Sequence, residues 1–302
     1  MRTKLSLDFC AEQPHVVALG CFDGVHKGHT ELIRQARRIA NASSLPLAVF
    51  SFAQPPKSFF SSNPISLLTT LEEKKRIMAS LGVDLFVCVP FNEEIASMDA
   101  ERFFYDILKD KLCASYILCG FNYRFGKKGL GDTELLSELC SDNGVGLSVI
   151  SPIEIDGSTV SSSAIRRALE EGDVRGAASL LGRPYSIRSE VISGQQLGRR
   201  LGFPTVNQIF EAGLITPKNG VYLSRIRVGN TVKKGITNVG VRPTVDGENL
   251  CAETNIFDFE GDLYGKKIRV EFLDFIRPET KFSCIEELSA QVHRDIEKAK
   301  NM

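Results

Sequence analysis

The stretch HVVALGCFDGVHKGHTELIRQARRIA, residues 15–40, decides the fold. Its opening HVVALG (15–20) is a short apolar run that reads as a buried strand. In HTELIRQARRIA, Leu32, Ile33, Ala36, Ile39 and Ala40 fall on one helical face. Between strand and helix lies GCFDGVHKGH (20–29), with Gly20, Gly24, Gly28 and two of the chain's 4 histidines, His26 and His29. In open α/β sheets ligands bind at such handovers, outside the carboxyl ends of the strands. The glycines let backbone approach a ligand closely or take positive φ. A helix starting near His29 turns free N–H groups and a positive dipole end towards a phosphate. Two imidazoles beside it can donate to phosphoryl oxygens as charge develops in a transition state. A histidine before a helix also serves as an ordinary cap, and an H-x-x-H spacing alone does not separate the two. It does not make a zinc site, because no further histidine or nearby cysteine pair completes four ligands.

The rhythm of the opening stretch repeats. LPLAVFSF (45–52), VDLFVCVPF (83–91), ASYILCG (114–120) and GLSVISPIEI (146–155) read as strands. A helix begins near Thr70 with Glu73 completing a capping box, and AERFFYDILKDKL and TELLSELC supply others. This βαβα alternation predicts a parallel sheet covered by helices, a Rossmann-like α/β domain.

The second part changes character. YSIRSEVISG, GVYLSRIRV, KKGITNVG, CAETNIFDF and KKIRVEFLDFI are strand-like with no helix pattern between them, and Gly229-Asn230 marks a two-residue hairpin. One amphipathic helix closes the chain from about Ile285 to Lys300. An antiparallel β-barrel with a terminal helix is expected, with the boundary in the glycine-rich stretch 171–185, giving domains 1–182 and 183–302.

Composition narrows the function classes. The 302 residues carry 37 basic and 37 acidic side chains, so the formal net charge is zero. Neither half has the basic excess of a nucleic-acid binder. The 43% hydrophobic content suffices for packed cores, and no apolar run approaches the length of a bilayer span. The N-terminus lacks a secretory signal, because Asp8, Glu12 and Pro14 interrupt it. The 8 cysteines form no C-x-x-C pair and several sit in apolar runs, which predicts free thiols and a reducing cytoplasm, while the balanced charge favours small-molecule chemistry.

Two later stretches extend the phosphate theme. GFNYRFGKKGLGD (120–132) follows a strand and is rich in glycine, basic and aromatic residues, though it departs from a P-loop in spacing and in Lys128. VSSSAIRR (160–167) places hydroxyls at a helix start, followed by arginines, a pattern that serves as caps or as a triphosphate clamp. With these three motifs in this order, the first part resembles the H-x-G-H nucleotidyltransferases, in the branch that makes FAD from FMN. FAQPPKSFF, LTTLEEKKRIM, GVDLFVCVPF and MDAERFF match as well. The chain departs from the family at Gln54-Pro55-Pro56, where P-H-P is usual, and at Ser163, where threonine is usual. The resemblance implies that Gly20, Phe22, His26, His29, Ser162, Ser163 and Arg166 hold ATP, with Asn122 against FMN. His26 and His29 then stabilise the transferred phosphoryl group.

The second half opens with GQQLGRRLGFPTVN (194–207), in which Thr205 and Asn207 alternate along a strand and share a face. A hydroxyl and an amide there can serve Mg²⁺ and phosphates, most Mg²⁺ ligands remaining water and phosphate. With PKNGVY, GITNVGVRPT, AETNIFDFEGDLYGKKIRVEF and IRPETKF, this half resembles a riboflavin kinase domain. The resemblance implies Gly194 and Arg199 against the nucleotide, Thr205 and Asn207 at Mg·ATP, and Glu253 as base towards the riboflavin 5′-hydroxyl. The two resemblances together imply a bifunctional enzyme that phosphorylates riboflavin to FMN and adenylylates FMN to FAD. Another H-x-G-H transferase has no reason to carry the second domain, and a flavin carrier has no reason to keep both sets of residues.

Overall fold

The computed structural model describes residues 1–155, 157–194, 198, 201–244 and 247–302. The chain contacts divide it into two units, Met1–Ser162 and Ser163–Met302.

The first unit is built on a six-stranded parallel sheet. Its strands are β1 (Arg2–Lys4), β2 (His15–Leu19), β3 (Leu47–Phe52), β4 (Leu85–Val89), β5 (Ala114–Gly120) and β6 (Gly146–Ile150). They lie in the order β1-β4-β3-β2-β5-β6. Every residue of β2 is buried, because helices cover both faces. Val16 and Ala18 pack beneath α1 (Lys27–Ala42) with Leu32, Ile33 and Ala36, and Met78 of α2 (Leu71–Ser80) joins them. Val17 and Leu19 face the other way, onto Phe103, Phe104, Ile107 and Leu108. The strand order reverses at β2. The chain runs from β2 to β3 and β4 on one side, then returns to β5 on the other. That reversal opens a crevice at the carboxyl ends of β2 and β5.

Three sequence expectations change in detail. The short polar strand β1 pairs with β4 and carries no apolar signal. The helix expected over 100–112 is a turn, Ala100–Arg102, continued as a π-helix, Phe103–Lys111. The N–H of Leu112, beyond its end, still donates to the Ile107 carbonyl five residues back. GLSVISPIEI is not one strand: β6 ends at Ile150, Pro152 follows, and β7 (Glu154–Ile155) pairs with β8 (Ser158–Thr159).

The second unit begins with the rest of the helix Ser162–Glu171 and the helix Val174–Leu181, capped by Asp173 and ended by left-handed Gly182. The glycine-rich stretch of the sequence is thus largely helical. An antiparallel sheet follows: β9 (Tyr185–Glu190), β10 (Thr205–Ile209), β11 (Gly220–Val228), β12 (Thr231–Thr244), β13 (Gly247–Ile256) and β14 (Lys267–Pro278). Its order is β10-β13-β12-β11-β14-β9. Val228 pairs with Thr231 around the expected Gly229-Asn230 turn. The sheet curls until its edges meet, for Ile192 bridges to Asn207 and Gln208 Nε2 donates to the Ser189 carbonyl at 2.8 Å. The C-terminal helix Ile285–Asn301 closes one side, with Val292, Ile296 and Ala299 on Val221, Leu223 and Ile236.

Gly146 tests the packing between β5 and β6 at the amino-terminal end of β6. A Cβ there would stand 2.2 Å from the Tyr116 ring, whose hydroxyl is bonded to Ser148 at 2.9 Å. Gly146→Ala should destabilise the first unit by roughly 1–3 kcal/mol, measured by denaturant unfolding. An unchanged midpoint would show that β5 and β6 do not pack this tightly.

Candidate functional sites

The turn between β2 and α1 is strained. Phe22 and Val25 take left-handed φ of 50° and 41°, which non-glycine residues seldom do and β-branched ones least of all. Each such residue costs about 1–3 kcal/mol and persists only where its surroundings over-determine it. Here they do. Both side chains are fully buried. Asp23 Oδ1 accepts from the Leu68 N–H at 2.9 Å, and the Gly24 N–H reaches Thr69 Oγ1 at 3.3 Å. Ser162 Oγ donates to the Asp23 carbonyl at 3.0 Å. The Cys21 carbonyl accepts from Ser51 Oγ at 2.8 Å and from Lys74 Nζ at 3.2 Å.

This turn delivers both histidines to the mouth of the crevice. His26 is the N-cap of α1, its Nδ1 accepting from the His29 N–H at 3.3 Å. The cap reading of the sequence therefore holds, and it has a chemical consequence. An imidazole accepting at Nδ1 carries its proton on Nε2. The ring lies back over Gly28, where a Cβ would crowd it at 3.2 Å. His29 stacks on His26 with ring centroids 3.5 Å apart and meets Phe22 edge-on at 5.2 Å. Its Nδ1 is buried without a partner in the protein. Burial, followed by the adjacent His26 and Lys74, holds the His29 pKa well below the ordinary imidazole value.

The crevice has a volume of about 370 Å³ and is lined by Gly20, His26, His29, Asn122 and Ser162 among others. Phe22 stands behind it, fully buried, with its ring where a Gly20 Cβ would lie at 3.0 Å. Ser163, exposed, and Arg166, half-buried, stand on the helix Ser162–Glu171 and are counted with the second unit. Asn122 also lines a cavity of about 780 Å³ with Phe52, Phe60, Phe91, Phe103 and Phe125. Phe52 and Phe91 meet edge-to-face at 5.1 Å. Sequence reasoning quoted FAQPPKSFF and MDAERFF as matching stretches but did not assign them this aromatic chamber. Pro56 of the divergent Gln54-Pro55-Pro56 lines both spaces.

In the second unit the strand register does the positioning. Asn207 of β10 pairs with Glu253 of β13, Glu253 with Asn238 of β12, Asn238 with Val221 of β11, and Val221 with Arg277 of β14. Paired residues share a face, so these form one row across the sheet. Thr205 and Asn255 stand one step along. Thr205, Asn238, Glu253, Asn255 and Arg277 line a cavity of about 340 Å³ beneath the C-terminal helix. Asn207 is buried beside them, and its Oδ1 has no partner. Arg277 Nε donates to both carboxylate oxygens of buried Asp295, at 3.1 and 2.9 Å, tying sheet to helix. Asn238, Asn255, Arg277 and Asp295 were not singled out from the sequence, although GITNVG, AETN and IRPETKF contain three of them. Gly194 is not among the residues lining the described cavities, and Arg199 lies outside the described residues.

The oxygen set suits a hard divalent cation. An orphaned amide oxygen, a neighbouring hydroxyl and a carboxylate across the strand are its preferred donors. Among the described residues no cluster of three or more His, Cys, Asp or Glu side chains forms a protein-only cage.

Comparison with known proteins separates the same two halves. The model of the FAD synthetase family matches residues 9–164, and that of the riboflavin kinase family matches 181–302. A bifunctional riboflavin kinase/FMN adenylyltransferase of Bacillus subtilis is 37% identical over 94% of this chain and 91% of its own length. Its counterpart from Escherichia coli K12 is 35% identical over 93% and 90%. A crystal structure from Streptococcus pneumoniae, named a macrolide-efflux protein, superposes over 100% of both chains with a TM-score of 0.90 and 32% identity. Among the described residues here, no helix is long and apolar enough to cross a membrane.

The neutral state of His29 has a measurable consequence. An unfolded imidazole takes up a proton near pH 6.5, whereas the folded one does not. The unfolded chain therefore binds more protons below that pH, so this group's contribution to stability is present above about pH 6.5 and falls as the pH drops below it. Imidazole ¹H–¹⁵N spectra should show His29 neutral at pH 6.5, with its midpoint rising when inorganic tripolyphosphate is added. A midpoint at or above the ordinary value in the free chain would contradict the geometry.

Proposed function

Because the chain belongs to the bifunctional riboflavin kinase/FMN adenylyltransferase family, it phosphorylates riboflavin with ATP to FMN and adenylylates FMN with a second ATP to FAD, and we propose how its residues divide those steps. Residues 1–182 serve as the adenylyltransferase domain and 183–302 as the kinase domain. The observation that carries the first assignment is the stacked histidine pair at the strand-order reversal, beside an aromatic chamber.

In the adenylyl transfer, ATP lies in the crevice between Gly20 and Asn122, and the flavin ring lies in the phenylalanine chamber. A phosphate oxygen of FMN attacks the α-phosphorus of ATP, and pyrophosphate leaves. His26 donates from Nε2, the one nitrogen its capping role leaves protonated. His29 enters neutral and gains proton affinity as anionic charge builds beside it. Ser162 already bonds the strained turn and lines the same crevice. Ser163 and Arg166 are assigned to the triphosphate by resemblance.

In the kinase step, Glu253 takes the proton of the riboflavin 5′-hydroxyl as its oxygen attacks the γ-phosphorus of ATP. The space beside it under the C-terminal helix receives the flavin. Thr205 and Asn207 hold Mg²⁺, which supplies charge neutralisation to the phosphates when bound; the partnerless Asn207 Oδ1 supports this. Gly194 and Arg199 are assigned to the nucleotide by resemblance. Neither step requires a covalent enzyme intermediate, since both rest on positioning and electrostatics. The eight free cysteines support a cytoplasmic location.

Paired substitutions test the division. His29→Ala removes a group aimed at developing phosphate charge and should slow FMN adenylylation on the order of 10²–10³-fold, with riboflavin phosphorylation intact. Glu253→Gln should slow FMN formation roughly 10²–10⁴-fold while supplied FMN is still converted to FAD. Loss of both activities in either variant, or of neither, would overturn the assignment. A fragment of residues 183–302 should by itself make FMN and no FAD; a folded but inert fragment would count against the boundary.

A further inference from the structure

The segment LEEKKRIM of α2 carries three consecutive basic residues with different fates. Lys75 and Arg76 stay at the surface and pair with Glu72 and Glu73, at 2.8 and 2.7 Å. Lys74 turns inward and is 2% exposed. Its Nζ donates to the Cys21 carbonyl at 3.2 Å and to the Phe52 carbonyl at 3.4 Å, and both residues line the histidine crevice. Among the described residues no carboxylate lies within ion-pair distance of it. Burying an ammonium without a counter-charge is costly, and proteins keep such groups paired or replace them. Two neutral carbonyls accept from its N–H groups but bring no counter-charge, so these bonds leave the buried charge uncompensated.

We propose that Lys74 is a positioning residue for adenylyl transfer: it pins the strained turn through Cys21 and Phe52, and its missing counter-ion is the polyphosphate bound at the histidine pair. This rests on the first unit being the adenylyltransferase. A fixed cation behind the crevice wall adds to the α1 dipole and draws polyphosphate into a low-dielectric site, where its field is poorly screened. The same charge acts on the groups around it. After burial and His26, it depresses the pKa of His29, and it opposes the burial-driven rise at Cys88 on β4. Lys74 thereby helps keep His29 neutral until anionic substrate arrives.

The test uses the full-length chain with Lys74→Met and Lys74→Arg. FAD pyrophosphorolysis reads the KM for inorganic pyrophosphate at this site alone, and riboflavin phosphorylation is the internal control. Lys74→Met should raise that KM and lower kcat/KM for FMN adenylylation by about 10- to 100-fold, less than loss of a direct donor. Lys74→Arg should recover most of both, and kinase activity should be unchanged in each. The ligand-free Lys74→Met chain should melt no lower than wild type, because an unpaired buried charge has gone. Its His29 should titrate at higher pH than in wild type. A Lys74→Met enzyme with normal pyrophosphate KM and normal adenylylation overturns the proposal. So does an arginine variant as impaired as the methionine one with a lowered melting temperature in both, which marks a packing role. A wild-type chain inert towards FMN overturns the functional reading, and the role of Lys74 with it.

Discussion

Six residues, Gly20 to Val25, carry the chain from the buried strand β2 towards α1 through a strained turn. Phe22 and Val25 take the strain by entering the left-handed region. Everything in the first site follows from how that strain is held. Residues 68–74 grip the turn through one backbone amide, one hydroxyl and one ammonium. Ser162 grips it from the end of the unit. The turn in turn fixes where α1 begins, hence where the two imidazoles stack. A relaxed turn would move the helix start, and the histidines with it.

The second site reaches a similar end by different means. No strained turn is needed when strand register aligns Asn207, Glu253, Asn238 and Arg277 across four neighbouring pairings. A one-residue slip in β10 or β13 would turn its member of the row to the opposite face. The Gln208 bond to Ser189 and the Ile192 bridge to Asn207 resist such a slip at the edge where the sheet meets itself. At the other end, the Arg277–Asp295 pair ties the row to the helix that roofs the cavity. Both sites leave polar atoms buried without protein partners, His29 Nδ1 in one and Asn207 Oδ1 in the other. Such atoms are costly in a resting protein, and in each case they stand where phosphate or its cation is expected.

The alternation of strands and helices was legible because a strand buried on both faces, such as β2, must be apolar throughout, while α1 shows one apolar stripe. The hairpin at Gly229-Asn230 and the C-terminal helix were legible from local chemistry. The π-helix was not, because Phe103, Phe104, Ile107 and Leu108 satisfy an α-helical stripe equally well. Pro152 signals the break after β6, but the apolar residues around it masked that signal. His26 and His29 were visible from their glycine-rich setting; that His26 would be both cap and candidate donor needed the geometry. Lys74 was invisible, because EEKKRIM reads as a solvated charged face and only the fold turns one of its lysines inward. Asn238 and Asn255 were hidden for a related reason, since register across five strands is not written in any one of them.

The central claim is that one chain performs two phosphorus transfers at two separate sites, each using its own ATP. The most direct measurement is to incubate the full chain with riboflavin, Mg²⁺ and ATP labelled distinguishably at the α- and γ-phosphorus, and to analyse the purified flavin. The account predicts FAD whose two phosphorus atoms come one from each position, with FMN as its precursor carrying the γ label and none of the α label. FAD carrying only one of the two labels, or riboflavin recovered unchanged, would contradict it.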